Sequence, residues 1–123
     1  MGAASPHILV VEDEKALAKA LVLKLTTAGF PVTVAYDGQE AVGLMASQQF
    51  DLVILDLIMP RMDGFGVLAW MKKEGKQTKV IVLTNLGQGE DIAKIKDMGV
   101  TDYFVKANIS LSELVEHIKS LEP

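Results

Sequence analysis

Three acids, a hydroxyl and an ammonium occupy matching places in this chain, each at the end of a short run of apolar residues. Glu12 and Asp13 follow Ile8-Leu9-Val10-Val11, and Asp56 follows Leu52-Val53-Ile54-Leu55. Thr84 ends Val80-Ile81-Val82-Leu83-Thr84, and Lys106 ends Tyr103-Phe104-Val105-Lys106. Continuous apolar runs of this length read as strands buried on both faces. A buried strand cannot keep an ionised Asp without a partner or a metal, so Asp56 belongs at the open carboxyl end of a sheet. Sites of open α/β folds lie at such ends. If the strands are parallel, all five groups reach one rim. Clustered carboxylates raise one another's pKa values, and a divalent cation relieves the repulsion. Oxygen ligands that leave water positions open suit Mg²⁺, with Mn²⁺ as the alternative. Phosphate commonly completes such a shell. Lys106 then offers a point charge and Thr84 a hydroxyl donor to the phosphoryl oxygens. Asp56 can itself be the nucleophile and form an aspartyl phosphate.

The elements that must position these groups alternate along the chain. After the first strand, Leu17, Leu21, Leu25 and Ala28 share one helix face, and Gly29 stops the helix. The acids Glu12-Asp13-Glu14 suit that helix's N-terminus. Val32 to Tyr36 reads as strand two, and Gln39 to Ser47 as a helix with Ala41, Leu44 and Met45 inward. The Asp56 strand runs into the turn Pro60 to Gly64. A helix from about Phe65 to Lys73 follows, with Val67, Leu68 and Met71 as its buried stripe and Trp70 at the flank. Strand four leads through a loop, Asn85 to Gly89, into a polar helix holding Ile92, Ile95 and Met98. Strand five ends at Lys106. Ser110-Leu111-Ser112-Glu113 is a capping-box pattern, opening a helix whose apolar face is Leu111, Leu114, Val115, Ile118 and Leu121. Five βα units in series predict an α/β fold with one parallel sheet covered by helices on both faces.

Composition agrees with one domain. The chain has 123 residues, half of them hydrophobic but only 6% aromatic, so aliphatic side chains must fill the core. A net charge of −4 argues against direct nucleic-acid binding. No cysteine is present, which fits a reducing, cytoplasmic setting. No apolar run approaches the ~18 residues of a spanning helix, so membrane insertion is not expected. Residues 1–6 read as a flexible leader or an expression scar, and 7–122 as the functional domain. No output domain is expected after the last helix.

Taken singly, these residues have plainer explanations. Asp56 would be a turn former, Glu12 and Asp13 helix caps, Thr84 a β-branched strand residue and Lys106 a solvated lysine. Their convergence favours a site. Gly87-Gln88-Gly89 lacks the third glycine and the Lys-Ser/Thr ending of a phosphate loop. Lys72, Lys73, Lys76 and Lys79 read as a solvated patch. His7 and His117 are too isolated to suggest a metal pair.

From His7 to Leu121 the chain resembles the receiver domain of bacterial two-component response regulators. The matching pieces are Val11-Glu12-Asp13-Glu14, Tyr36-Asp37-Gly38-Gln39-Glu40-Ala41, Asp56-Leu57-Ile58-Met59-Pro60-Arg61-Met62-Asp63-Gly64, Val82-Leu83-Thr84 and Gly99-Val100-Thr101-Asp102-Tyr103-Phe104-Val105-Lys106. The resemblance implies a flavodoxin-like, doubly wound (βα)5 fold with strand order 2-1-3-4-5. It implies that Asp56 accepts a phosphoryl group from a sensor histidine kinase or phosphotransfer protein. Asp13, Asp56 and the backbone carbonyl of Ile58 would bind Mg²⁺, with Glu12 acting on the metal through water. Lys106 would bind a phosphoryl oxygen. Thr84 would move toward the phosphoryl group and Tyr103 rotate inward behind it. A downstream protein, or a second copy, would read the face made by the fourth helix, fifth strand and fifth helix.

The chain departs from the family pattern in three places. Ala107 replaces the usual proline, whose preceding bond is cis in the family; a cis bond before a non-proline costs roughly 2.5–4 kcal/mol. Asn85 replaces a very small residue, and either narrows access to Asp56 or adds a donor to the phosphoryl site. Ile58 and Leu86 are apolar where relatives often present polar groups to the attacking water, so self-dephosphorylation should be slow. The chain is thus expected to be a self-phosphorylating acceptor and not a turnover enzyme, either free-standing or excised from a larger regulator or hybrid kinase. An aspartyl-nucleophile phosphatase would need a second acid where Ile58 stands. A flavin carrier would need a Ser/Thr-rich loop where Glu12-Asp13-Glu14 stand.

Overall fold

The computed structural model describes residues 6–85 and 89–121. Most of the expected leader, Leu86, and the Gly87-Gln88 pair therefore lie outside the described residues. The elements are β1 (Ile8–Val11), α1 (Lys15–Thr27), β2 (Val32–Ala35), α2 (Gly38–Ser47), β3 (Leu52–Leu55), α3 (Gly64–Lys73), β4 (Lys79–Thr84), α4 (Gly89–Asp97), β5 (Asp102–Val105) and α5 (Leu111–Ser120), with a 3₁₀ turn at Lys106–Asn108. The strands form one five-stranded sheet in the order β2-β1-β3-β4-β5, parallel throughout. This is the expected doubly wound, flavodoxin-like fold.

Side chains alternate across the sheet, and the two faces carry separate cores. Leu9, Val11, Val53, Leu55 and Val82 pack with Ala41 and Met45 of α2, Val67, Leu68 and Met71 of α3, and Ile95 of α4. Ile8, Val10, Ile54, Ile81 and Leu83 pack with Leu21 and Leu25 of α1 and with Leu114, Val115 and Ile118 of α5. β1 and β3 are buried throughout, whereas the edge strand β5 is only half-buried.

Local signals hold at most boundaries. Gly29 and Gly99, with φ of 97° and 92°, take the left-handed conformation that follows a helix end. Ser110 and Glu113 form the capping box in full. Four expectations shift. Tyr36 lies beyond β2, exposed. Leu44 packs against the core without being fully buried. α5 ends at Ser120, so Leu121 is its C-cap, leaves the apolar stripe and is exposed. β5 ends at Val105, and Lys106 opens the 3₁₀ turn. No cis peptide bond occurs among the described residues, so the Lys106–Ala107 bond is trans.

Candidate functional site

Register decides which groups meet. Val11 pairs with Leu55, and Leu55 pairs with Val82, so the first residues beyond β1 and β3 stand side by side. β4 runs two residues further, and its last residue, Thr84, pairs with Val105 just before Lys106. The backbone remains stitched past the strand ends. Asp56 N–H donates to the Val11 carbonyl at 3.1 Å, and Glu12 N–H to the Ala35 carbonyl at 3.0 Å. Glu12, Asp56 and Thr84 are all buried at this rim.

Lys106 is the hub. Its Nζ lies 3.0 Å from Asp56 Oδ2, 2.9 Å from Glu12 Oε1 and 3.0 Å from Glu14 Oε1. Asp56 Oδ1 accepts a weaker bond from Ile58 N–H at 3.3 Å, and Glu12 Oε2 accepts from Glu14 N–H at 3.1 Å. Burial pushes the Glu12 carboxyl up, and repulsion from Asp56 adds to this, although Lys106 and the Glu14 N–H pull it down. Burial disfavours the Lys106 ammonium, yet the carboxylates around it hold its pKa well above the ordinary lysine value. Lys106 is therefore charged throughout the physiological range.

One carboxylate oxygen from each of Glu12, Asp13 and Asp56 lies within 4.8 Å of the others. This all-oxygen donor set fits a hard divalent cation such as Mg²⁺. An open cleft of about 180 Å³ lies over it, lined by Asp13, Glu14, Asp56, Ile58, Asn85 and Lys106. Of the residues expected from sequence, Glu12, Asp13, Asp56, Ile58, Asn85 and Lys106 thus come together. Tyr103 does not. It is half-buried on β5 and packs against the core on the α2, α3 and α4 side.

The loop after β3 is held against Asp56. A Cβ on Gly64 would fall 2.4 Å from the Asp56 carbonyl oxygen, so only glycine fits there. Asp63 caps α3 by accepting from Gly66 N–H at 2.9 Å. Arg61 takes φ of 65°, an uncommon conformation for a non-glycine residue. Its Nε donates to Asp37 Oδ2 at 2.9 Å, while Asp37 Oδ1 caps α2 by accepting from Glu40 N–H. Sequence reasoning missed the Arg61–Asp37 tie and the Glu14–Lys106 contact, since neither pair is close in sequence. Lys79, which keeps 40% of its side chain exposed, and His117 both pair with Asp102, at 3.3 and 3.0 Å, contacts that sequence reasoning did not name.

Residues 8–119 match the family described as response regulator receiver domain. Among curated proteins, the chain is 36% identical over 115 residues to the probable transcriptional regulator ycf27 of Cyanidium caldarium, covering 94% of this chain and 45% of that protein. It is 35% identical over 113 residues to the transcriptional regulatory protein DltR of Streptococcus agalactiae serotype III, covering 92% and 50%. The chain spans about half the length of the curated relatives it matches. Among solved structures, it resembles the receiver domain of Francisella response regulator 1452, with a TM-score of 0.87 and 34% identity over 95% of this chain and 96% of that one. A response regulator receiver protein from Pseudomonas putida superposes with a TM-score of 0.89 at 26% identity, covering 97% and 99%.

Proposed function

This chain belongs to the response regulator receiver domain family of two-component systems, and from that membership we propose that Asp56 is its phosphoryl acceptor. Receiver domains interact with histidine kinases and are not turnover enzymes in general. The observation that carries the assignment is the Asp56 carboxylate, buried at a strand end, 3.0 Å from the Lys106 ammonium and within 4.8 Å of the Glu12 and Asp13 oxygens.

In the proposed reaction an Asp56 oxygen attacks the phosphorus of a phosphohistidine on a sensor kinase or phosphotransfer protein. The P–N bond breaks and the imidazole leaves with the electron pair. Asp13, Asp56 and the Ile58 carbonyl would hold Mg²⁺, with Glu12 acting through water; the ion supplies neutralisation of the phosphoryl oxygens. Lys106 turns its ammonium to a phosphoryl oxygen, and the Thr84 hydroxyl donates to another. Asn85, exposed on the rim, is placed to add a donor or to narrow the approach. The new charge biases Thr84 and Tyr103 between two arrangements, and the α4-β5-α5 face carries the change to a protein partner or a second copy.

We place the domain at residues 7–122 and its site of action in the cytoplasm. No described helix is long and apolar enough to cross a membrane. The relatives' names point to gene regulation by the whole proteins. For this chain we propose output through protein contact.

Incubation with Mg²⁺ and a small phosphodonor, followed by intact mass, tests the assignment. The wild type should gain one phosphoryl group and Asp56→Asn none. Equal labelling of both would place the acceptor elsewhere.

A further inference from the structure

Glu14 carries a negative charge at the start of α1, where the helix dipole favours it, but spends its side chain elsewhere. It is the N-cap residue of α1, yet its side chain makes no capping hydrogen bond. The side chains that cap a helix start are those of Ser, Thr, Asp and Asn, and the longer Glu is free to reach beyond it. Glu14 instead reaches across the cleft to Lys106, 92 residues away in sequence, at 3.0 Å.

That contact leaves Lys106 fully committed. An ammonium has three N–H donors, and three carboxylates surround this one: Glu12, Glu14 and Asp56. A phosphoryl oxygen can reach Lys106 only by displacing one of them. Glu12 and Asp56 have side chains only 2% and 5% exposed and are the acids that would serve the cation and the reaction, so neither can leave the rim. The Glu14 side chain is 62% exposed and returns to water at little cost.

We propose that Glu14 is the carboxylate that yields Lys106 to the incoming phosphoryl group, and that its charge at the cleft mouth discriminates against small, doubly charged phosphodonors. This rests on the reading of Asp56 as acceptor. With acetyl phosphate, Asp56 attacks phosphorus, the P–O bond to the acyl group breaks, and acetate leaves with the electron pair. With phosphoramidate, the P–N bond breaks and ammonia leaves from the zwitterion, which carries a net single charge. A unit charge roughly 6 Å from the donor, in water-like surroundings, disfavours a dianion by at most about tenfold and a net monoanion by at most about threefold. Salt weakens both.

The test compares phosphorylation rates of wild type and Glu14→Gln with each donor, at saturating Mg²⁺, in low and high salt. Glu14→Gln should speed acetyl phosphate by at most about tenfold and phosphoramidate by at most about threefold, so the ratio of the two rates rises, by at most about threefold, and the gain shrinks in high salt. A role confined to holding α1 would move both rates together and leave the ratio unchanged. Labelling in both proteins with an unchanged or reduced ratio overturns the gate alone. No labelling of either protein with either donor overturns the acceptor assignment, and the gate falls with it.

Discussion

Lys106 Nζ and Asp56 Oδ2 lie 3.0 Å apart although 50 residues separate them in the chain. Two parallel strand ends and one 3₁₀ turn bring them together. The ammonium balances two buried carboxylates at once, so its removal is costly. Lys106→Met should lower stability at pH 7 by about 2–3 kcal/mol, below the usual cost of breaking a buried pair because the cleft is open to water. Mg²⁺ should restore much of that loss by occupying the same acids. Urea melts with and without Mg²⁺ measure both, and an unchanged midpoint in the metal-free variant would contradict the hub role.

Gly64 and Gly43 should respond oppositely to alanine. A Cβ at Gly64 meets the Asp56 carbonyl oxygen at 2.4 Å and the Leu57 Cα at 2.7 Å, both backbone atoms. Gly64→Ala should therefore cost about 1–3 kcal/mol through overpacking and slow phosphorylation by shifting Asp56. Gly43 lies within α2 with nothing inside 4 Å of the added carbon. Gly43→Ala should stabilise by about 0.5–1 kcal/mol. Thermal melts of the two variants would show the contrast.

Stability should fall on the acid side of pH 4, with Asp102 as one cause. Burial pushes its carboxyl up, but His117 and Lys79 outweigh that and hold it below its ordinary 3.8. A depressed carboxylate contributes stability that is complete above its unfolded value and lost as pH falls through its folded one. Glu12 acts in the opposite sense. Its raised pKa makes the ionised form costly, so that cost sets in as pH rises above 4.5. Asp102→Asn should flatten the loss below pH 3.8 and weaken the fold at pH 7. Denaturation midpoints across pH 3–7 would test this, and an acid limb as steep as in the wild type would exclude Asp102 as its source.

The aspartyl phosphate should be long-lived. Ile58 lines the cleft with a side chain that cannot orient an attacking water. Ile58→Asn should shorten the phosphoryl lifetime severalfold, followed by loss of label in the absence of a phosphatase. A wild-type half-life of seconds would contradict the assignment of Ile58.

The sheet, its five helices and the rim acids were legible in the sequence because each is written locally. Buried strands are continuous apolar runs, helix faces recur every three or four residues, and Ser110 with Glu113 closes a cap within one turn. Asp56 stood out because no apolar strand tolerates an unpartnered carboxylate. The tertiary structure alone decided which charges meet. Glu14 looked like a helix-end acid but spends its side chain on Lys106. Asp37 caps α2 locally but also binds Arg61. Lys79 and His117, on separate elements, converge on Asp102. These pairings join residues 15 to 92 positions apart. No local period encodes such contacts, because they depend on the height at which each strand ends and on which side chains the shared rim brings into reach.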